Sequence, residues 1–113
     1  MRALRSALVV LACGLAAFAG DPKAPKFTGD VDKYWIEVCA RCHGANGNGR
    51  DNAGKPLPDA GFDFTDSRKA NRKKDASWIK DILEGHDKMP AYKDKMDEAG
   101  AKAFIAKLRK FAA

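Results

Sequence analysis

The residues best placed for chemistry are Cys39, Cys42 and His43, in the run Cys39-Ala40-Arg41-Cys42-His43. In a C-x-x-C-H spacing, two thiols can add across the vinyl groups of a haem while the adjacent imidazole reaches the iron. On a helical turn, two intervening residues put both sulfurs on one side of a porphyrin edge and swing the next ring under the metal. Other chemistries fit less well. A zinc centre wants four ligands, and beyond these three only His86 remains as a soft fourth. Dithiol exchange of the thioredoxin type lacks its βαβ context here.

Iron held by His43 needs a second axial ligand if it is to pass electrons without binding substrate, and the downstream candidates are His86, Met89 and Met96. Met89 is preferred. Pro90 stiffens the chain behind it, and it falls in a loop just past a helix whose apolar face can cover the ring. His86 reads otherwise as an exposed loop residue, and Met96 as a packing residue beside the last helix.

Gly44-Ala45-Asn46-Gly47-Asn48-Gly49 resembles a phosphate-cradling loop only superficially, since no Lys-Ser/Thr follows and no strand precedes it. These glycines suit positive φ, where the chain turns away from the ligand helix and approaches the haem. From Gly44 to Gly61 the composition punctuates structure and predicts a long loop.

Three helices must position these groups. After Asp30, a good N-cap, Val31, Tyr34, Trp35 and Val38 fall on one helical face that runs into Cys39. Asp75 is the expected N-cap of a second helix, with Trp78, Ile79, Ile82 and Leu83 inward and Gly85 closing it. The third starts near Asp97 and Glu98 and turns Phe104, Ile105, Leu108 and Phe111 inward, with Lys107, Arg109 and Lys110 at its C-terminal end. The basic stretch Arg68 to Lys74 reads as a solvated linker. No strand pattern appears. Three helices packed only on each other would make a thin core, and a large apolar cofactor would fill it.

The chain has 113 residues, one domain's worth, and a formal charge of +6. Met1 to Arg5 is basic, and the apolar run from Ala7 to Ala19 is shorter than the roughly 20 residues of a spanning helix. Ending in Ala17-Phe18-Ala19, it predicts a secretory signal over residues 1–19, then an exposed leader over 20–29. An uncleaved anchor and a lipid attached at Cys13 are the alternatives. Cleavage would remove Arg2, Arg5 and Cys13, leaving a charge of about +4 and only the Cys39/Cys42 pair.

In its C-x-x-C-H run, the glycine loop after it, Met89-Pro90 and an aromatic-bearing last helix, in that order, the chain resembles a class I c-type cytochrome from about Asp30 to Phe111. The resemblance implies a domain over 30–113 with an all-α fold: three main helices and loops wrapped around one haem c bound through Cys39 and Cys42. It implies crossing first and last helices, His43 and Met89 as axial ligands, and Pro56 or Pro58 offering a carbonyl to the His43 Nδ1 proton. By the same likeness Trp78 lies near the haem, a role its position on a helix face does not separate from plain core, and Phe104 interlocks the terminal helices. The function expected is a periplasmic one-electron carrier without catalysis of its own. Its partners would be redox proteins, with an acidic docking surface opposite Arg68 to Lys74 and no nucleic acid or membrane span; the chain itself is expected to be monomeric. A haem-bearing subunit of a larger redox complex, or a weak peroxidase with Met89 displaced and His86 assisting, are the competing readings.

Overall fold

A computed structural model describes residues 23–113. The signal segment, the Cys13 alternative and the first residues of the leader lie outside that range. The described residues are helical and irregular, with isolated bridges at Arg50/Pro56 and His86/Met89 in place of strands.

Asp30 caps the first helical segment as its sequence demands, its side chain accepting from Lys33 N at 3.0 Å. Helix α1 (Val31–Tyr34) passes without a break into a π turn (Trp35–Cys39) and then α2 (Ala40–His43). Tyr34, Trp35 and Val38 are buried, the face expected from their spacing. Wide turns of this kind cluster at functional sites, and this one delivers the chain directly into the C-x-x-C-H run.

The basic stretch is not a linker. Its first five residues fall in α3 (Ser67–Arg72), capped by Asp66 accepting from Lys69 N at 3.2 Å, with Ala70 wholly buried. A single alanine is its only inward residue, too little apolar signal to reveal a helix in the sequence. Helix α4 (Asp75–Glu84) begins at the expected cap itself, one residue early, with Lys74 in the cap position. Asp75 is the first helical residue because its carboxylate is taken by Arg109, through Nε at 3.0 Å and Nη2 at 2.8 Å. At its other end Gly85 has φ 81°, and a Cβ there would meet the Met89 carbonyl oxygen at 2.8 Å.

Helix α5 (Glu98–Ala112) is capped by Asp97, which accepts from Gly100 N at 2.9 Å. It buries Ala101, Phe104, Ile105 and Leu108. Phe104 meets Tyr34 of α1 with ring centroids 6.0 Å apart, the interlock between terminal helices that the resemblance implied. The leader joins this contact instead of standing free. Phe27 meets Phe104 at a tilt with centroids 5.1 Å apart and Tyr34 edge to face at 5.4 Å, Ala24 is buried, and the Pro25 carbonyl accepts from the Tyr34 hydroxyl at 2.7 Å. Two apolar residues among prolines and lysines carry no helical period, so the leader's packing was hidden.

Candidate functional site

Between the 31–43 segment, α4 and the 85–96 loop lies a cleft of about 980 Å³. That is at the upper end of the roughly 300–1,000 Å³ of ordinary ligand sites. Cys39, Cys42, His43 and Met89 all line it, so the four residues singled out in the sequence come to one place. Phe62, Phe64, Trp78, Ile82, Tyr92 and Leu108 give it a mainly apolar wall.

His43 is half-buried and held from three sides. Its ring lies 5.1 Å from Phe64 and 5.8 Å from Trp35, centroid to centroid, and the backbone at Gly61 presses on it so closely that a Cβ would overlap Nδ1 and Cε1. Nδ1 stands 3.3 Å from the Phe62 carbonyl oxygen. A carbonyl only accepts, so this bond puts the ring proton on Nδ1 and leaves the Nε2 lone pair for a metal. Burial holds the imidazole below its ordinary range, with the Phe62 carbonyl pulling the other way. A neutral ring is the ligating form.

The orienting carbonyl therefore comes from Phe62, not from Pro56 or Pro58. The loop after the ligand helix returns further along its length than the resemblance implied. Gly49 N donates to the His43 carbonyl at 2.7 Å and Gly61 N to the Cys42 carbonyl at 2.8 Å, and this folding-back leaves the next carbonyl, that of Phe62, facing the ring. Phe62-Asp63-Phe64, two aromatics flanking one polar residue after a glycine-rich stretch, was the signal available for this wall.

On the other side, His86 and Met89 form a tight turn, each backbone N–H donating to the other's carbonyl, at 3.0 Å from His86 and 2.8 Å from Met89. The turn separates the two candidates. His86 is 67% exposed beside Asp87 at the mouth of the cleft, whereas Met89 is half-buried on its lining. Met96 is buried and lines only a small inner recess that His43 and Met89 share. Trp78 belongs to both of the roles left open for it, being buried and part of the cleft wall. The Cys39 thiol is pushed up to about 12 by burial, against the pull of Arg41 and Lys107, so it is protonated at neutral pH and poorly suited to dithiol exchange. Among the described residues no group of three or more His, Cys, Asp or Glu side chains could hold a metal ion by itself.

An apolar cleft of this size, two half-buried thiols on one helical turn, an imidazole with its proton fixed on the far nitrogen and a thioether on the lining fit a haem. Residues 29–106 match the family model described as cytochrome C oxidase, cbb3-type, subunit III. The chain belongs to this family of c-type cytochromes. Among solved structures this cytochrome is similar to a chain described as KustC0563 c-type cytochrome, with 26% identity, a TM-score of 0.60, and coverage of 74% of this chain and 99% of that one. No curated protein matches. A small all-α cytochrome fold is thereby established. Membership of a c-type cytochrome family implies covalently bound haem c, haem-based electron carriage and, typically, export. Among the described residues no helix is long and apolar enough to cross a membrane.

Proposed function

We propose that this cytochrome is a periplasmic one-electron carrier with a single haem attached through Cys39 and Cys42 and ligated by His43 and Met89. The observation that carries the reading is the meeting of all four residues in one apolar cleft, with His43 oriented by the Phe62 carbonyl. Bound there, haem supplies exchange of one electron between Fe(III) and Fe(II). The two thioether links hold the cofactor against loss outside the cell. His43 would hold the haem iron through Nε2, because Nδ1 is engaged, and Met89 would hold it through its thioether, which would leave no place for substrate. Thioether ligation and the apolar wall both favour the reduced state, and the reduction potential is expected to be positive. The residues contribute attachment, orientation and exclusion of water; none acts as a catalytic acid or base.

A second reading has specific support in the family description, which names a subunit of an oxidase. In that case the same cleft hands electrons on within a complex. The two readings part on isolation from native cells: a carrier runs alone and at its own small size, whereas a subunit co-purifies with a larger haem protein. Export rests on the basic and apolar start of the sequence, and a partner with an acidic face suits the exposed Arg68, Lys69 and Lys73. The segment expected to be a linker would then present Arg68 and Lys69 from a helix, with Lys73 at its C-cap.

The deciding experiment uses the full-length chain in a host that matures c-type cytochromes, with spectra of both redox states for wild type, Met89→Ala and His86→Ala. Haem colour should survive acid extraction, and the far-red band of ferric methionine-ligated haem should vanish only in Met89→Ala. Loss of the band in His86→Ala alone, or its absence from the wild type, overturns the axial assignment.

A further inference from the structure

Arg109 is engaged by four hydrogen bonds and one aromatic ring. Its guanidinium lies 4.0 Å from the centroid of the Trp78 ring. In the same position Nη1 donates to the Ala70 carbonyl at 2.8 Å, Nη2 to the Lys73 carbonyl at 2.6 Å, and Nε and Nη2 to Asp75 Oδ1. A planar fork that stacks and bridges at once is a task lysine cannot copy. The stack is not needed to satisfy the guanidinium, whose hydrogen bonds all go to the α3–α4 corner. What the stack fixes is the indole. Trp78 is 4% exposed, lies edge-to-face with Phe64 at 5.3 Å and Phe62 at 6.2 Å, and lines the cleft with His43 and Met89.

We propose that Arg109 is a positioning residue for the haem cleft: by clamping the Trp78 indole against the aromatic wall, it limits the access of water to the haem and keeps the reduction potential high. The inference rests on the haem reading above. Water that reaches the iron's surroundings stabilises the more highly charged ferric state, so a loosened indole favours oxidation. Lys73, whose carbonyl Arg109 also holds, lines the same cleft, so one guanidinium contacts both the indole and a second lining residue.

The test measures midpoint potentials of the holoprotein for wild type, Arg109→Lys, Trp78→Leu and their combination, with Asp75→Asn alongside. Arg109→Lys keeps the charge and loses the stack. It is expected to shift the ferric/ferrous ratio about three- to tenfold toward oxidised, about 30 to 60 mV downward at 59 mV per tenfold. In the Trp78→Leu background, which has no ring to clamp, the same change should shift the ratio less than about twofold, and Asp75→Asn, which spares the stack, should do likewise. An unchanged midpoint in Arg109→Lys overturns the proposal. So does an equal shift in both backgrounds, or a full-sized shift in Asp75→Asn, since either makes the α3–α4 corner the agent instead of the indole. The far-red band, read in every variant, separates failure here from failure of the haem assignment. If the wild type lacks attached haem or that band, the functional reading falls and takes this one with it.

Discussion

The backbone at Gly61 rests directly on the His43 ring, with no room for a side chain between them. Gly61 N also donates to the Cys42 carbonyl at 2.8 Å, so one residue both ties down the helix that carries His43 and lies against the Nδ1 and Cε1 atoms of its imidazole.

Gly61→Ala must therefore displace either the ring or the loop. We expect ligation by His43 to weaken by about tenfold, the scale typical of residues that orient a metal ligand. The measurement is the acid displacement of His43 from the ferric iron, the haem itself staying on its thioether links, followed in the absorption spectrum as pH is lowered. A wild-type displacement curve would show that the ring does not depend on this approach.

Phe104→Ala removes the ring on which Tyr34 and Phe27 meet, at a position 2% exposed. Truncation of a buried phenylalanine costs about 3–5 kcal/mol. Denaturant melts of the holoprotein should show the midpoint falling at constant slope. Phe27→Ala, at a half-buried site, should cost less than Phe104→Ala, and a leader that contributes nothing would leave the melt unchanged.

Lys88 Nζ donates to Asp59 Oδ1 at 2.9 Å, joining the turn that carries Met89 to the loop that returns toward His43. Both side chains are largely exposed, 79% and 57%, so salt screens the pair strongly. Lys88→Gln or Asp59→Asn should speed displacement of Met89 by exogenous imidazole by less than about fivefold at low ionic strength. The charge-reversed double variant should restore the rate; equal acceleration in all three would show that the pair does not hold the turn.

The ion pair of Asp32 with Lys107, at 2.8 Å, gives a pH dependence with a definite sign. The Lys107 ammonium lowers the Asp32 carboxyl below its usual value of 3.8, by hydrogen bond first and by charge second. A lowered folded value means the contribution is present above pH 3.8 and is lost as pH falls through the folded value. Thermal melts of wild type and Asp32→Asn should differ at neutral pH and converge in acid, with a smaller gap at high salt. A gap independent of pH would exclude this pair as its source.

The four residues that meet in the cleft were legible in the sequence because their signals are local: Cys39, Cys42 and His43 share one turn, and Met89 is marked by Pro90. The three long-period faces were legible for the same reason, since Tyr34, Trp35 and Val38, or Phe104, Ile105 and Leu108, repeat within one helix. Contacts between elements were not. The Phe62 carbonyl reaches His43 across 19 residues, and a backbone oxygen leaves no trace in residue type. Asp75 looked like a cap because its competing partner, Arg109, lies 34 residues away. The leader and α3 were misjudged because each docks through one or two small or isolated apolar residues, below what periodicity can register.

The π turn at Trp35–Cys39 has a consequence for how this protein can change. Such a turn is an α-helix that has accommodated one surplus residue. Here the surplus lies between Tyr34, which must face Phe104, and the cysteines, which must face the cleft. Wound as regular helix, the same number of residues would rotate one end against the other by about 100°. The aromatic anchor and the attachment site could then no longer both be in phase. The irregular turn sets that phase, and the length of this segment is under tighter constraint than the identity of its exposed residues.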